Sequence, residues 1–298
     1  MSQAESHPAA EPESSVPSFS GDPVAAAALA RERAQAAWKW AWLCTLVAIA
    51  SWVGFGVLVS LAGRAAGAND LTSGISLLVA VGSSIAACIC FYRVYSQRRA
   101  AAMADACETM GFSFTEKVDK RMLATFTRIP LFHRGHSPTA YYAMEGEVGG
   151  WPVTAMQYSY TTGSGKSQHT HYQTVAIIHG ADDLPDFELR PKSFWRKIGE
   201  ALGLVSIKFA NNPAFMSAYY LTGPDEKALR ATFTPATLAW FAERRNWTVE
   251  SQDSFLAVYQ QDKACAADQY PQRVANALAM LRQLQGESTA SELPEADA

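Results

Sequence analysis

The chain has 298 residues, of which 49% are hydrophobic and 18% are charged, with a formal net charge of −3. A mean hydropathy of −0.06 excludes a membrane protein made mostly of spanning helices, and the large apolar share excludes a fully disordered chain. The 25 basic residues against 28 acidic ones leave no positive excess for binding nucleic acid. These averages conceal an uneven distribution of apolar residues along the chain.

The N-terminal segment is polar and rich in Ala, Ser, Pro and Glu. Such a segment buries too little apolar surface to offset the entropy of ordering, so residues 1–37 are predicted to be a disordered tail. The segment does not resemble a secretory signal peptide, because it is acidic and the first apolar run begins only near Trp40.

Two charge-free apolar runs follow, at residues 40–63 and 71–92. Each reaches the roughly 20 apolar residues that an α-helix needs to cross a bilayer. Because the connector is short, residues 38–95 are predicted to be an antiparallel transmembrane helical hairpin. The alternative, a pair of core helices in a soluble protein, is disfavoured by the aromatic and basic residues that flank both runs.

Flanking charges predict the orientation of this hairpin. Three basic residues precede the first run and three follow the second, whereas the connector contains Arg64 alone. The positive-inside rule predicts that both termini lie in the cytoplasm. The chain is therefore predicted to be a two-span protein of the plasma (inner) membrane.

Small residues recur at four-residue spacing in both runs, at Gly56 and Ser60 and at Gly82 and Ala86. This spacing lets helix backbones approach closely. These residues either pack the two spans against each other or join two copies of the chain into a homo-oligomer.

The remainder of the chain is predicted to be a cytoplasmic α+β domain over residues 96–285, followed by a disordered acidic tail over residues 286–298. Helices bracket the predicted strands rather than alternating with them, which indicates a mainly antiparallel sheet. The predicted helices are 98–110, 122–131, 192–202, 235–245 and one beginning near Asp268. The predicted strands are 140–147, 151–160, 172–178, 186–190, 247–250 and 255–260, with hairpin turns at Gly149-Gly150 and Gln252-Asp253.

Two motifs suggest ligand chemistry but lack the context it needs. Gly165-Lys166-Ser167 matches the end of a phosphate-binding loop, yet Tyr160 stands where the first glycine belongs and a strand follows instead of a helix. It is interpreted as a hairpin loop. The acidic residues 182–188 with Arg190 are interpreted as a turn and the solvated side of an edge strand, rather than as paired catalytic carboxylates.

The candidate metal ligands are four histidines: His133, His136, His169 and His171. The last two alternate around Thr170, so on a strand they share a face. Imidazoles can hold zinc, but no signature spacing joins the two pairs, and surface loop histidines are the alternative interpretation. The five cysteines show neither a disulfide framework nor a zinc spacing, and no cofactor is predicted.

Several strings of the domain carry a resemblance to a known family. They are TVAII at Thr174–Ile178, LPDFELRP at Leu184–Pro191, the spaced motif from Phe215 to Gly223, and WTVE at Trp247–Glu250. Together with the two spans, they resemble a family of uncharacterised bacterial membrane proteins with a cytoplasmic α+β domain. The resemblance covers residues 40–285 and implies the architecture, but no activity and no catalytic residue.

These features predict a membrane-anchored, non-enzymatic binding or scaffolding module. Its predicted partners are the lipid bilayer, a protein at the cytoplasmic face and a second copy of the chain, but not nucleic acid. The alternative is a membrane-tethered, metal-dependent hydrolase that uses the four histidines. No complete catalytic constellation is visible, so no catalytic residue is predicted.

Overall fold

The computed structural model describes residues 23–62, 70–193 and 206–286. Within these ranges two long helices precede an α+β domain built on one eight-stranded antiparallel sheet, which confirms the predicted fold class. The predicted tails at residues 1–22 and 287–298 and residues 194–202 of a predicted helix lie outside the described residues.

The two long helices, α1 (Pro23–Ala62) and α2 (Asp70–Met110), pack as an antiparallel pair. The indole nitrogen of Trp52 donates a 2.7 Å hydrogen bond to Ser84, and the sulfurs of Cys44 and Cys90 are 3.0 Å apart. Both helices are long and apolar enough to cross a membrane. The most apolar window of α1 is 11% buried and that of α2 is 17% buried, whereas a core helix of a soluble protein is mostly buried.

Alanines form the contact between the two helices. They are Ala41 and Ala48 on α1 and Ala80 and Ala87 on α2, all buried. Gly56 and Gly82, by contrast, are exposed and have no neighbour within 4 Å of the position a Cβ would take. The small residues at four-residue spacing therefore do not pack the spans together. Contact with a second copy of the chain stays a prediction.

Helix α1 begins earlier than the sequence indicates. Residues 23–37 are helical, although they are predicted to belong to a disordered tail. Their high alanine content favours a helix, and proline is well accommodated at its first position. Arg31 adds tertiary contacts, at 2.7 Å to Asp105 and 2.8 Å to Glu108 of α2. The disorder prediction therefore fails over residues 23–37, because a partner helix lies alongside this segment.

All neighbouring strands of the sheet are antiparallel, in the order β1-β2-β3-β4-β8-β7-β5-β6. The strands are β1 (Ser113–Lys117), β2 (His136–Val148), β3 (Trp151–Thr162), β4 (His169–His179), β5 (Phe187–Pro191), β6 (Tyr219–Thr222), β7 (Thr248–Gln252) and β8 (Phe255–Tyr259).

The turn at Gly149-Gly150 lies where it is predicted, whereas the second hairpin turn lies one residue later than predicted, at Asp253-Ser254, and one strand lies elsewhere in the sheet. Gly149 and Gly150 join β2 to β3 at positive φ, and the loop that contains Gly165-Lys166-Ser167 joins β3 to β4. Strand β5, predicted to be at the sheet edge, lies between β7 and β6. The short strand β6 occupies the edge instead.

Among the described residues of the domain, four short helices begin at a polar side-chain cap, and a longer fifth one, Tyr270–Leu284, has no side-chain cap. They are α3 (Lys120–Thr125), α4 (Pro213–Ala218), α5 (Glu226–Thr232), α6 (Pro235–Glu243) and α7 (Tyr270–Leu284). The predicted cap at Thr234 is confirmed, since its side chain accepts from the Thr237 N–H. Pro130, predicted to stop a helix, instead begins the 3-10 helix Pro130–His133, which follows α3.

Each face of the sheet packs against different elements. On one side, which we call the α2 face, Val153 and Ala155 of β3 join a large core with the end of α2 and with α7. On the other side, the α3 face, Met156, Tyr158 and Tyr160 pack against the segment that contains α3 and the 3-10 helix. Because successive side chains of a strand point to opposite faces, polar residues that are neighbours in sequence lie in different surroundings.

Candidate functional site

A groove of about 560 Å³ lies where α2 leaves its apolar run and approaches the sheet. Tyr92, Ser96 and Arg99 form its α2 wall, at spacings that place them on one side of the helix. Tyr92 is the last residue of the second apolar run. A rise of 1.5 Å per residue puts Arg99 about 10 Å further along the axis. The groove therefore begins at the predicted membrane boundary and extends away from it.

The floor of the groove is a patch of hydroxyl groups on the α2 face. Thr139 and Ser159 pair across β2 and β3 at 2.6 Å, and Thr161 and Thr170 pair across β3 and β4 at 3.1 Å. Regular strand alternation puts these side chains on the same side as the wall. Each hydroxyl can both donate and accept a hydrogen bond.

Tyrosines and a few charges complete the lining. Tyr92 is 73% exposed and Tyr172 is 59% exposed, so both rings are available to a ligand. Arg99 donates to the Gln157 side chain at 3.0 Å, which holds the guanidinium at the edge of the hydroxyl patch. Lys117 adds a second positive charge at the β1 side of the groove.

A buried charge cluster lies on the α3 face and consists of Arg134, Glu188, Arg190 and Glu250. Glu250 is fully buried. Its carboxylate accepts hydrogen bonds from the Leu131 N–H at 2.8 Å, from the Tyr259 hydroxyl at 2.7 Å and from Arg134. These bonds fix the 3-10 helix Pro130–His133 over the sheet.

The cluster shifts the pKa values of its members. Burial opposes the charge on Arg134, but the Glu250 carboxylate together with Tyr259 and Tyr160 outweighs burial, so the pKa of Arg134 is raised. Burial and the nearby charge of Arg134 lower the pKa of Arg190. Burial raises the pKa of the Tyr259 phenol well above its usual value. The prediction that Glu188 and Arg190 lie on a solvated strand face is therefore wrong, because β6 covers the edge and Glu250 lies beside them.

Of the four candidate histidines, the structure groups two. His169 and His171 lie side by side on β4, with ring centroids 4.6 Å apart, as the alternation predicts. Asp262, which follows β8, joins them, and the ligand atoms of all three residues lie within 4.8 Å of one another. His133 and His136 are not members of this group. His133 is exposed, and His136 Nε2 donates to the Gly163 carbonyl at 3.1 Å.

The metal site of four histidines therefore stays a prediction. The structure brings two of its four residues, His169 and His171, together. Sequence reasoning missed Asp262, because its proximity to β4 depends on the pairing of β4 with β8. It also missed Arg134 and Glu250, which are 116 positions apart along the chain. The one local indication of the charge cluster is the acidic residue at the centre of the β7 sequence TVESQ, in the middle of a strand.

Comparisons with known proteins do not identify the chain. No family model and no curated protein matches it. Among solved structures, it is similar to the crystal structure of the mycobacterial trehalose monomycolate transport factor A, TtfA, at 14% identity and a TM-score of 0.41. The similarity covers 66% of this chain and 97% of that chain. These values are too low to transfer a function, and the resemblance to an uncharacterised bacterial family stays a prediction.

Proposed function

We propose that the chain is a membrane-anchored, non-enzymatic binding module, and that its groove binds the polar head group of a membrane lipid. One observation carries this proposal. The α2 wall of the groove begins at Tyr92, where the apolar run ends, so the groove opens at the depth where lipids present their head groups.

The size of the groove favours a small ligand over a protein partner. Its volume of about 560 Å³ falls within the range of small-molecule pockets, which hold roughly 300–1,000 Å³. Stable protein partners instead cover about 800 Å² of surface on each side. A concave site of this size beside a bilayer suits one head group.

The lining suits a head group rich in hydroxyl or other polar groups. The hydroxyl pairs of the floor offer donors and acceptors, and Tyr92 and Tyr172 offer aromatic faces for contact. Arg99 and Lys117 can neutralise a phosphate if the head group carries one. Among the described residues, the floor hydroxyls bond to one another rather than to a histidine or carboxylate. This supports binding rather than nucleophilic catalysis.

The continuity of α2 supports a fixed position for the groove. The helix runs without interruption from Asp70 to Met110, and Met103 and Cys107 near its end belong to the domain core. The domain is therefore held to the apolar run by a helix rather than by a flexible linker. The proposed orientation, with both termini in the cytoplasm, is tested by a C-terminal fluorescent-protein fusion that fluoresces only there.

Native mass spectrometry of the full chain in mild detergent tests the binding site. We expect the wild-type chain to carry a bound lipid. Thr161→Trp fills the floor of the groove with an indole, and we expect it to lower the lipid-bound fraction at least about tenfold. Thr127→Trp, the same change at an exposed position on the other side of the sheet, is the matched control and should retain the lipid.

Two results would overturn the proposal: a wild-type chain without lipid, or equal lipid occupancy in Thr161→Trp. Far-UV circular dichroism of both variants shows whether each one folds. A photoreactive phenylalanine in place of Tyr172 provides a second measurement. A lipid adduct supports the proposal, whereas an adduct with protein alone favours a protein partner in its place.

A further inference from the structure

The strongest unassigned cluster of side chains consists of His169, His171 and Asp262, which we call the His-Asp site. It lies on the α3 face, on the opposite side of the sheet from the groove. His171 pairs with Tyr160 across β3 and β4. The chain after β8 is fixed beside β4, because the Thr174 N–H donates to the Lys263 carbonyl at 3.0 Å and the Cys265 N–H donates to the Thr174 hydroxyl at 2.8 Å. These bonds place Asp262 next to the two histidines.

The central imidazole of the site is held from three directions. His171 Nδ1 is 2.7 Å from the Asp262 carboxylate, and His171 Nε2 is 3.0 Å from the Thr162 hydroxyl. The ring of Tyr160 stacks on the imidazole, with centroids 4.9 Å apart. The Tyr160 hydroxyl in turn accepts a 3.0 Å hydrogen bond from Gln261, the neighbour of Asp262. The orientation of His171 is therefore set by the fold.

We propose that the His-Asp site binds one divalent transition-metal ion of the zinc class. Zinc takes imidazole nitrogen and carboxylate oxygen at about 2.0–2.2 Å, and two ligand atoms of a tetrahedral site then lie about 3.4 Å apart. The ligand atoms of the three residues already lie within 4.8 Å of one another. Small rotations of the exposed His169 and Asp262 side chains bring them to a shared ion.

The hydrogen bonds of His171 match those of a metal-bound histidine. A metal ion between His171 Nδ1 and Asp262 replaces their direct hydrogen bond and leaves the ring proton on Nε2. That N–H then donates to the Thr162 hydroxyl, which is the outer contact that fixes a histidine ligand in metal sites. Three protein ligands leave the fourth position of a tetrahedral ion to water. The inference concerns binding and does not depend on the groove.

Metal content of the purified full chain tests the site. After equilibration with low-micromolar Zn²⁺ and gel filtration, we expect about one Zn²⁺ per wild-type chain. His169→Ala and Asp262→Asn each remove one ligand and should lower the content to below about 0.2 per chain. His136→Ala is the matched control, since it removes an exposed histidine at the same end of the sheet and should keep the ion.

Binding of Co²⁺ to the same samples gives a second readout. A d–d absorption band in the wild-type chain that is absent in Asp262→Asn places the ion in the His-Asp site. Because His169 and Asp262 are exposed, both variants should keep the wild-type circular dichroism spectrum. The proposal is overturned if the wild-type chain holds less than about 0.2 Zn²⁺, or if His136→Ala loses as much metal as His169→Ala.

Discussion

At the scale of single residues, Glu250 joins parts of the chain that are far apart in sequence. Its buried carboxylate accepts hydrogen bonds from the 3-10 helix and from β8 and pairs with Arg134. We expect Glu250→Ala to lower the free energy of unfolding by about 3–5 kcal/mol. The change removes one charge of a buried ion pair, and the positive charge of Arg134 then stays buried without the compensation that Glu250 provides. Thermal denaturation of the full chain, followed by circular dichroism, measures this.

Glu226→Ala is the control for this change. Glu226 forms an exposed ion pair with Arg230 one helical turn away, and such pairs contribute about 0–1 kcal/mol. If Glu250→Ala costs no more than Glu226→Ala, the buried cluster does not stabilise the fold.

A second residue, His179, makes the stability of the domain depend on pH. It lies at the end of β4, where its Nε2 is 2.9 Å from the Thr154 hydroxyl and its ring packs against Phe126 and Phe255. Burial lowers the pKa of His179 to about 4, compared with 6.5 when unperturbed. Between these values the unfolded chain binds more protons than the folded one, so acidification favours unfolding.

Above about pH 6.5 the free energy of unfolding is not reduced by the titration of His179. As the pH falls to about 4, this titration lowers the free energy of unfolding progressively, by roughly 3 kcal/mol in all. We expect His179→Gln to flatten the fall of the melting temperature over this interval, and the exposed-site variant His136→Gln to keep it. Melting curves at several pH values compare the variants. Identical slopes for the wild-type chain and His179→Gln would contradict the assignment.

At the scale of secondary-structure elements, the packing of α1 against α2 is open to a direct test. The sulfurs of Cys44 and Cys90 are 3.0 Å apart, whereas Cys88 is exposed on another side of α2. We expect a membrane-permeant copper–phenanthroline oxidant to join Cys44 to Cys90 in a disulfide, as this contact is close enough for bonding after a small shift.

Peptide mass mapping after alkylation of the remaining thiols identifies the cross-link. Cys90→Ala leaves Cys44 and Cys88 in place and is the matched control, for which we expect no cross-link within one chain. A Cys44–Cys88 disulfide formed as readily as the wild-type cross-link would mean that α2 is rotated about its axis. A disulfide between two chains would instead point to an oligomer.

Sequence patterns predict these elements unequally well. The apolar runs predict the central parts of α1 and α2 because length and lack of charge are local properties. They do not predict the start of α1 at Pro23, since an Ala-rich polar segment is helical only with a partner such as α2 beside it. The charged residues of β5 and the prolines beside it predict an edge strand. The prediction misses β6, which covers that edge, because its four residues are too few for alternation to identify.

At the scale of the whole molecule, the fold class follows from the order of the elements, whereas the candidate sites do not. Strands grouped between helices indicate an antiparallel sheet, and the structure contains one. The groove needs α2 to lie beside the hydroxyl patch of β2, β3 and β4, and the His-Asp site needs β8 to pair with β4. Both depend on which elements become neighbours in the fold. The spacing of residues along the chain does not indicate this.

We propose that α2 crosses the membrane, and its uninterrupted course would then make the position of the domain depend on the thickness of the bilayer. A helix that tilts or slides to match a thicker or thinner hydrocarbon layer carries everything beyond Tyr92 with it. A slide of about four residues would move the mouth of the groove by about 6 Å relative to the surface. Access of head groups to Ser96 and Arg99 would then vary with the lipid composition around the protein, even though no residue of the domain had changed its conformation.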